Sequence, residues 1–143
     1  GASIVQRDEY MKTTLYTGPN IAEKNKDQLF IRAKKSDIGS VTFQIFVKIN
    51  YSGVWRFYNQ AYDAQGNALY TTLLSRNLAQ CQGNDCSHSE QVSIDVTRMH
   101  LEENMQSGLR FKVRGKAGEE AFFIPSGYIK AFLSLSGESR LGW

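Results

Sequence analysis

Alternation of apolar and polar side chains marks residues 41–81, and the predicted fold depends on this stretch. In its first run, every second residue is apolar: Phe43, Ile45, Val47, Ile49 and Tyr51. A period of two turns one face of a strand towards a core. Ser52 and Gly53, and then the cluster 63–67, supply turn residues before two further strand-like runs. The stretch therefore predicts a three-stranded antiparallel meander.

The second and third runs, 54–62 and 68–79, carry large side chains on both faces. In the second run, Trp55 and Phe57 lie on one face, whereas Tyr58 and Tyr62 lie on the other. A strand covered on both faces favours a β-sandwich. An open antiparallel sheet packed by helices, an α+β fold, is the alternative.

The rest of the chain adds strands and two helices. Four more runs alternate with a period of two: 28–34, 91–96, 109–114 and 119–124. Residues 98–106 have helical spacing, with Asp95 or Thr97 as a cap and Gly108 as a stop. A final helix is predicted over 126–135. Since strands and helices do not alternate, the predicted fold class is mainly β, with β-sandwich-like antiparallel sheets, one inserted helix and one C-terminal helix.

The length of 143 residues predicts one domain with a core of its own. Residues 1–26 are interpreted as an N-terminal arm with one short strand. Residues 27–136 form the single β-rich domain, and residues 137–143 form a C-terminal tail.

The charge is mildly basic, with a net charge of +3 and a pI near 8.9. This is well short of the concentrated positive field typical of nucleic-acid binding, so no nucleic acid is predicted as a partner. The sequence holds no apolar run of about 18 residues, as a transmembrane helix needs. The first residues, Gly1-Ala2-Ser3, resemble a cloning remnant. A signal peptide or membrane-tethering segment that precedes them in the natural protein is therefore compatible with the sequence.

Cys81 and Cys86 flank a four-residue turn between two predicted strands. Across such a hairpin the two side chains face each other, and a disulfide is favoured. Two alternatives stay open: unpaired thiols, and a zinc site that adds His88 with Asp85 or Glu90. A disulfide would indicate an oxidising compartment.

No catalytic constellation is visible in the sequence. His100 lies beside Glu102 and Glu103 in the predicted helix, where a surface histidine is favoured over a general base. No serine stands in a nucleophile elbow, and the glycines at 115 and 118 read as a hairpin turn rather than a phosphate loop. The chain is therefore predicted to be non-enzymatic, with no cofactor and no metal.

Two surfaces are candidates for binding. Arg110, Lys112, Arg114 and Lys116 form a predicted basic strand face, for which pairing with Glu119 and Glu120 is favoured over an anionic ligand. Trp55, Tyr58 and Tyr62 form a candidate aromatic ligand surface, although core packing is the more common role of such residues.

Three segments together resemble a group of small exported proteins of Gram-negative bacteria, commonly lipoproteins of unknown function. These are RFYNQAYD, LLSRNLAQC with a second cysteine five positions on, and FKVRGKAGEEAFFIPSGYIKAFL. The resemblance covers roughly residues 28–135 and implies a periplasmic or outer-membrane-anchored domain with a hairpin disulfide. It brings no catalytic residue, and the lipid-accepting cysteine of such proteins is absent here.

The leading functional hypothesis is an exported, non-enzymatic envelope module that binds a partner protein through a sheet face or edge. The alternative is a small-ligand or glycan-binding domain that uses the aromatic surface. An enzyme using His88 or His100 ranks third.

Overall fold

The computed structural model of the protein describes residues 3–24 and 26–137, which fold into ten strands and two helices. The strands are β1 (Ile4–Asp8), β2 (Thr13–Thr17), β3 (Gln28–Ser36), β4 (Val41–Ser52), β5 (Tyr58–Asp63), β6 (Ala68–Leu69), β7 (Thr71–Gln82), β8 (Asp85–Val96), β9 (Leu109–Gly115) and β10 (Gly118–Ile124). Helix α1 (Arg98–Glu103) is inserted between β8 and β9, and α2 (Ser126–Gly137) follows β10.

The strands form two antiparallel sheets. The larger has six strands in the order β1-β2-β3-β4-β8-β7, and the smaller has four in the order β10-β9-β5-β6. Buried side chains of both sheets and of α2 form one apolar cluster. The predicted class, mainly β with a β-sandwich-like arrangement and two helices, is confirmed.

The core follows from strand alternation. On the inner face of the large sheet, β4 presents Phe43, Ile45 and Val47, which are directly opposite Val96, Ile94 and Val92 of β8. All six side chains are buried. The small sheet supplies Leu109, Phe111 and Val113 of β9, buried as their period of two predicts.

Helix α2 packs on the part of the large sheet near β3 and β4. The Phe132 ring meets the Phe43 ring edge-on, with a centroid distance of 6.5 Å. The Tyr128 hydroxyl accepts the Ile31 backbone N–H at 3.0 Å and donates to the Pro19 carbonyl. Neither helix within residues 3–24 and 26–137 has the length and apolar character needed to cross a membrane.

Helix α1 is shorter than the predicted segment, but it begins where the sequence indicates. Thr97 is the N-cap, and its hydroxyl accepts the His100 backbone N–H at 3.0 Å. The helix ends at Glu103, and Gly108 adopts a positive φ of 90° before β9 begins.

The predicted meander is wrong. β4 pairs with β3 and β8, whereas β5 belongs to the other sheet, and β7 returns to the first. Gly53 does adopt a positive φ of 102°, but the chain after it runs across the sandwich instead of turning back on β4. Sequence-distant β8 pairs with β4 because its apolar residues match those of β4 in register.

The N-terminal arm contains two strands, β1 and β2, where one short strand is predicted. Both join the six-stranded sheet through β3. Most of the predicted tail, from residue 138 onward, lies outside the described residues.

Candidate functional site

The chain crosses from the large sheet to the small one through the crossover segment, residues 53–57, and a buried carboxylate holds this segment. Glu90 on β8 is only 1% exposed. It accepts the backbone N–H groups of Phe57 at 3.1 Å and Tyr58 at 2.8 Å, as well as the Tyr51 hydroxyl. Arg76 of β7 completes the set, with its Nε 3.2 Å from a Glu90 oxygen. The carboxylate is thus fully partnered, as burial of a charge requires.

Tyr51 is the neutral donor of this network. Burial, and then the hydrogen bond to Glu90, raise the pKa of Tyr51 to about 12. The same hydroxyl accepts the Arg56 backbone N–H at 2.8 Å. The Arg56 guanidinium lies 4.3 Å above the Tyr51 ring and donates to the Tyr58 hydroxyl at 2.8 Å.

Phe57 has a left-handed backbone, with φ of 55°. Such a conformation is an outlier for a bulky side chain. It costs on the order of 1–3 kcal/mol and persists only where the surrounding structure imposes it. Here Glu90 binds the Phe57 N–H, and the backbone of Arg56 and Phe57 packs directly against Gly115. With the backbone held in this conformation, the Phe57 ring lies at the surface, and 39% of the residue is exposed.

Apolar side chains collect around this segment and form a surface that we call the crossover patch: Val54, Trp55, Phe57 and Leu78. Val54 is 75% and Leu78 58% exposed. The Trp55 and Phe57 rings stack at 6.2 Å, and the Arg76 guanidinium lies 5.0 Å from the Phe57 ring. Leu78 is opposite His88, on which Trp55 packs at 4.0 Å.

The crossover patch borders the edge of the large sheet that β7 forms within the described residues. β7 is the last strand in the sheet order, and its pairing with β8 is irregular at 73–75 and again at 78–80. Such bulges shorten the regular part of an edge. The stretch 75–78 remains in regular register beside the patch.

The predicted disulfide is present: Cys81 and Cys86 are bonded across the tip of the β7–β8 hairpin, with a Cα–Cα distance of 4.0 Å. The cysteines are therefore not thiolate ligands, and the zinc alternative is wrong. Within the described residues, His, Cys, Asp and Glu side chains form no group of three placed to hold a metal ion.

The two histidines have different surroundings. His88 is buried against Trp55 and Tyr51, and its Nε2 is 2.6 Å from the Gly53 carbonyl oxygen. It fixes the start of the crossover segment. His100 lies beside Asp63, at 3.9 Å between Nε2 and Oδ2, rather than beside Glu102 or Glu103. Asp63 is itself engaged by the backbone N–H groups of Gln65 and Asn67 in the β5–β6 turn.

The three aromatic residues predicted as a ligand surface do not share one. Tyr58 is fully buried in the core, at 0% exposure, so its part of the prediction is wrong. Trp55 belongs to the crossover patch. Tyr62 is directly opposite Lys112 on the outer face of the small sheet.

The predicted basic face exists on β9 for three of its four members. Arg110, Lys112 and Arg114 are exposed at alternate positions, whereas Lys116 lies in the β9–β10 turn. Glu119 of β10 pairs with Lys112 at 2.9 Å and Arg114 at 3.6 Å, as the cross-strand interpretation predicts. Glu120 does not pair with this face, because its side chain contacts Lys24 and Arg56 instead.

Comparison with known proteins finds no matching family, no matching curated protein and no matching solved structure.

Sequence reasoning missed Glu90 as the centre of the site, although a signal was present. Glu90 is two residues before Val92 and continues the alternate positions Val92, Ile94 and Val96, so strand alternation places it on the core face. A carboxylate at a core-facing position indicates a buried, partnered charge.

Proposed function

We propose that this chain is a non-enzymatic, exported binding module of the cell envelope, either periplasmic or anchored to the outer membrane. In this proposal it holds an extended apolar segment of a partner protein against the crossover patch and the adjoining β7 edge. The observation that carries the proposal is the strained, exposed Phe57, kept at the surface between Trp55 and Arg76 by the buried Glu90 network.

Several features of the crossover patch favour protein binding. Exposed apolar side chains that cluster beside a sheet edge are typical of interaction sites. Tryptophan and arginine are also enriched among the residues that dominate binding energies. Because the crossover segment is fixed before binding, little conformational entropy is lost when a partner docks.

The exported location is supported by the hairpin disulfide Cys81–Cys86, since disulfides persist in oxidising compartments. The alternative function, glycan binding by an aromatic surface, has less support because Tyr58 lies inside the core and Trp55 and Tyr62 are on different parts of the molecule.

Site-specific photo-crosslinking in envelope preparations tests the proposal. A photoreactive residue at Leu78 should give crosslinks to an extended apolar segment, which mass spectrometry identifies. The same probe at Ile4, an exposed residue on the opposite edge of the sheet, is the matched control.

A synthetic peptide of the crosslinked segment then tests affinity. Leu78→Lys and Trp55→Ala should each weaken binding by about tenfold or more, which corresponds to about 1.4 kcal/mol. Ile4→Lys should leave binding unchanged. Equal affinity for all four proteins, or crosslinks that form equally at Ile4, would refute the docking site.

A further inference from the structure

A second surface, on the outer face of the small sheet, carries a row of cations. β9 lies inside this sheet, between β10 and β5, and turns Arg110, Lys112 and Arg114 outward. Residues at alternate strand positions are about 6–7 Å apart along the strand. The three positive charges therefore form a straight row across the middle of the face.

The carboxylates near this row neutralise it only in part. Glu119 is shared by Lys112 and Arg114. The hydrogen bond from Lys112, and then its charge, lower the pKa of Glu119, so it stays ionised. Within the described part of the chain Arg110 has no carboxylate partner, and its guanidinium lies on the Phe123 ring at 4.5 Å. The Asp63 carboxylate at the end of the row accepts the backbone N–H groups of Gln65 and Asn67 and faces His100, so it does not pair with the cations.

The face is concave along the row. A depression of about 620 Å³ is lined by the three cations, by Tyr62 and by the β5–β6 turn. Ala121 is directly opposite Lys112, and its small side chain leaves room above the strand. The Arg114 guanidinium lies over the Tyr62 ring, 5.5 Å from its centroid, so the last cation of the row makes a cation–π contact.

We propose that this depression, which we call the cationic trough, binds an extended ligand that carries at least two phosphate groups. Two of its three cations are arginines, whose planar guanidinium groups can contact two oxygens of one phosphate. Because Lys and Arg side chains are long and flexible, neighbouring cations of the row can each contact a different phosphate group of one ligand. The ligand is either a soluble polyphosphate or the phosphate headgroups of a lipid surface, which share this chemistry.

Titration calorimetry with tripolyphosphate tests the soluble source. Arg110→Gln and Arg114→Gln should each weaken binding by about tenfold, the effect of losing one charge-assisted contact. Lys34→Gln, which removes an exposed strand lysine from the other sheet, should leave affinity unchanged. An equal loss in Lys34→Gln would show that only net charge matters and would overturn the proposal.

A second pair of variants tests the trough in the opposite direction. Glu119→Gln releases Lys112 and Arg114 and should tighten binding severalfold. Glu103→Gln gives the same change of net charge on helix α1 and should have no effect. Equal tightening in both variants would overturn the proposal, as would polygalacturonate, a carboxylate polymer, binding as tightly as tripolyphosphate.

Vesicle sedimentation separates the two sources. Phosphatidylcholine vesicles with and without phosphatidylglycerol present the lipid headgroup. Binding that needs phosphatidylglycerol and is lost in Arg110→Gln assigns the trough to a membrane surface, whereas binding of tripolyphosphate alone assigns it to soluble phosphates. Failure of both probes overturns the proposal, and neither result depends on the crossover patch.

Discussion

Glu90 accepts the backbone N–H of Phe57 at 3.1 Å and so links the interior of the large sheet to the left-handed residue at the crossover between sheets. The same carboxylate binds Tyr58, Tyr51 and Arg76. One buried side chain thereby holds the end of the crossover segment, while His88 holds its start.

Replacing Glu90 by glutamine should lower the free energy of unfolding by about 3 kcal/mol. The amide NH₂ of glutamine would face N–H groups that now donate to the carboxylate, and Arg76 would lose its negatively charged partner. Urea denaturation followed by tryptophan fluorescence measures the loss. Glu103→Gln, on the exposed side of helix α1, is the control and should change stability by less than about 0.5 kcal/mol. A similar small change in Glu90→Gln would mean that the network does not hold the crossover segment.

Gly115 should not tolerate a side chain. A Cβ there would clash with the Arg56 carbonyl oxygen and with the Phe57 backbone, and neither is the end of a flexible side chain that could move aside. Gly115→Ala should therefore cost about 1–3 kcal/mol of unfolding free energy by thermal or urea denaturation. Gly127→Ala, at a position in helix α2 with open space around it, should be neutral or stabilising by up to about 1 kcal/mol. Equal effects of the two substitutions would contradict the close packing at Gly115.

The disulfide should be detectable by mass and by stability. Reduction under denaturing conditions should add about two mass units, as expected for one bond between the only two cysteines. The double variant Cys81→Ser with Cys86→Ser should lose at most about 2 kcal/mol, since the bond closes a short loop at an exposed hairpin tip. An unchanged mass after reduction would exclude the bond in the purified protein.

Alkaline pH should destabilise the fold through two tyrosines, Tyr51, which is buried, and Tyr128, which is partly buried. Burial raises the pKa of Tyr51 and of Tyr128 to about 12, against about 10 in an unfolded chain. Because the folded-state pKa is higher, the stabilisation from these groups is fully present below pH 10 and is lost as the pH rises to 12. Tyrosinate absorbance should show at least two late-titrating tyrosines of the seven in the sequence.

The same titration in denaturant is the control for this prediction, because all tyrosines should then ionise together. Tyr128→Phe should remove one of the late steps in the folded protein. A single common transition in the native protein would show that neither hydroxyl is protected.

Local patterns accounted for individual strands and for the disulfide hairpin. The alternation of Leu29, Ile31 and Ala33, and of Leu109, Phe111 and Val113, placed these residues in the core, where the structure has them. The candidate surfaces were predicted less well. The basic row on β9 follows from alternation alone, whereas the concavity above it depends on the neighbouring turn and on Ala121.

The sequence by itself determined that the runs 28–34, 43–51, 91–96, 109–114 and 119–124 are strands, which faces of β3, β4, β8 and β9 are apolar, and where Cys81 meets Cys86. These properties depend on a period of two and on turn residues, both of which are local. Only the tertiary structure decided that β4 pairs with β8 instead of β5, that Tyr58 is core whereas Trp55 is half-buried against His88, and that Glu90 binds the Phe57 backbone. Strand partners and burial depend on contacts between residues far apart in the chain, so a local pattern that fits several pairings cannot select among them.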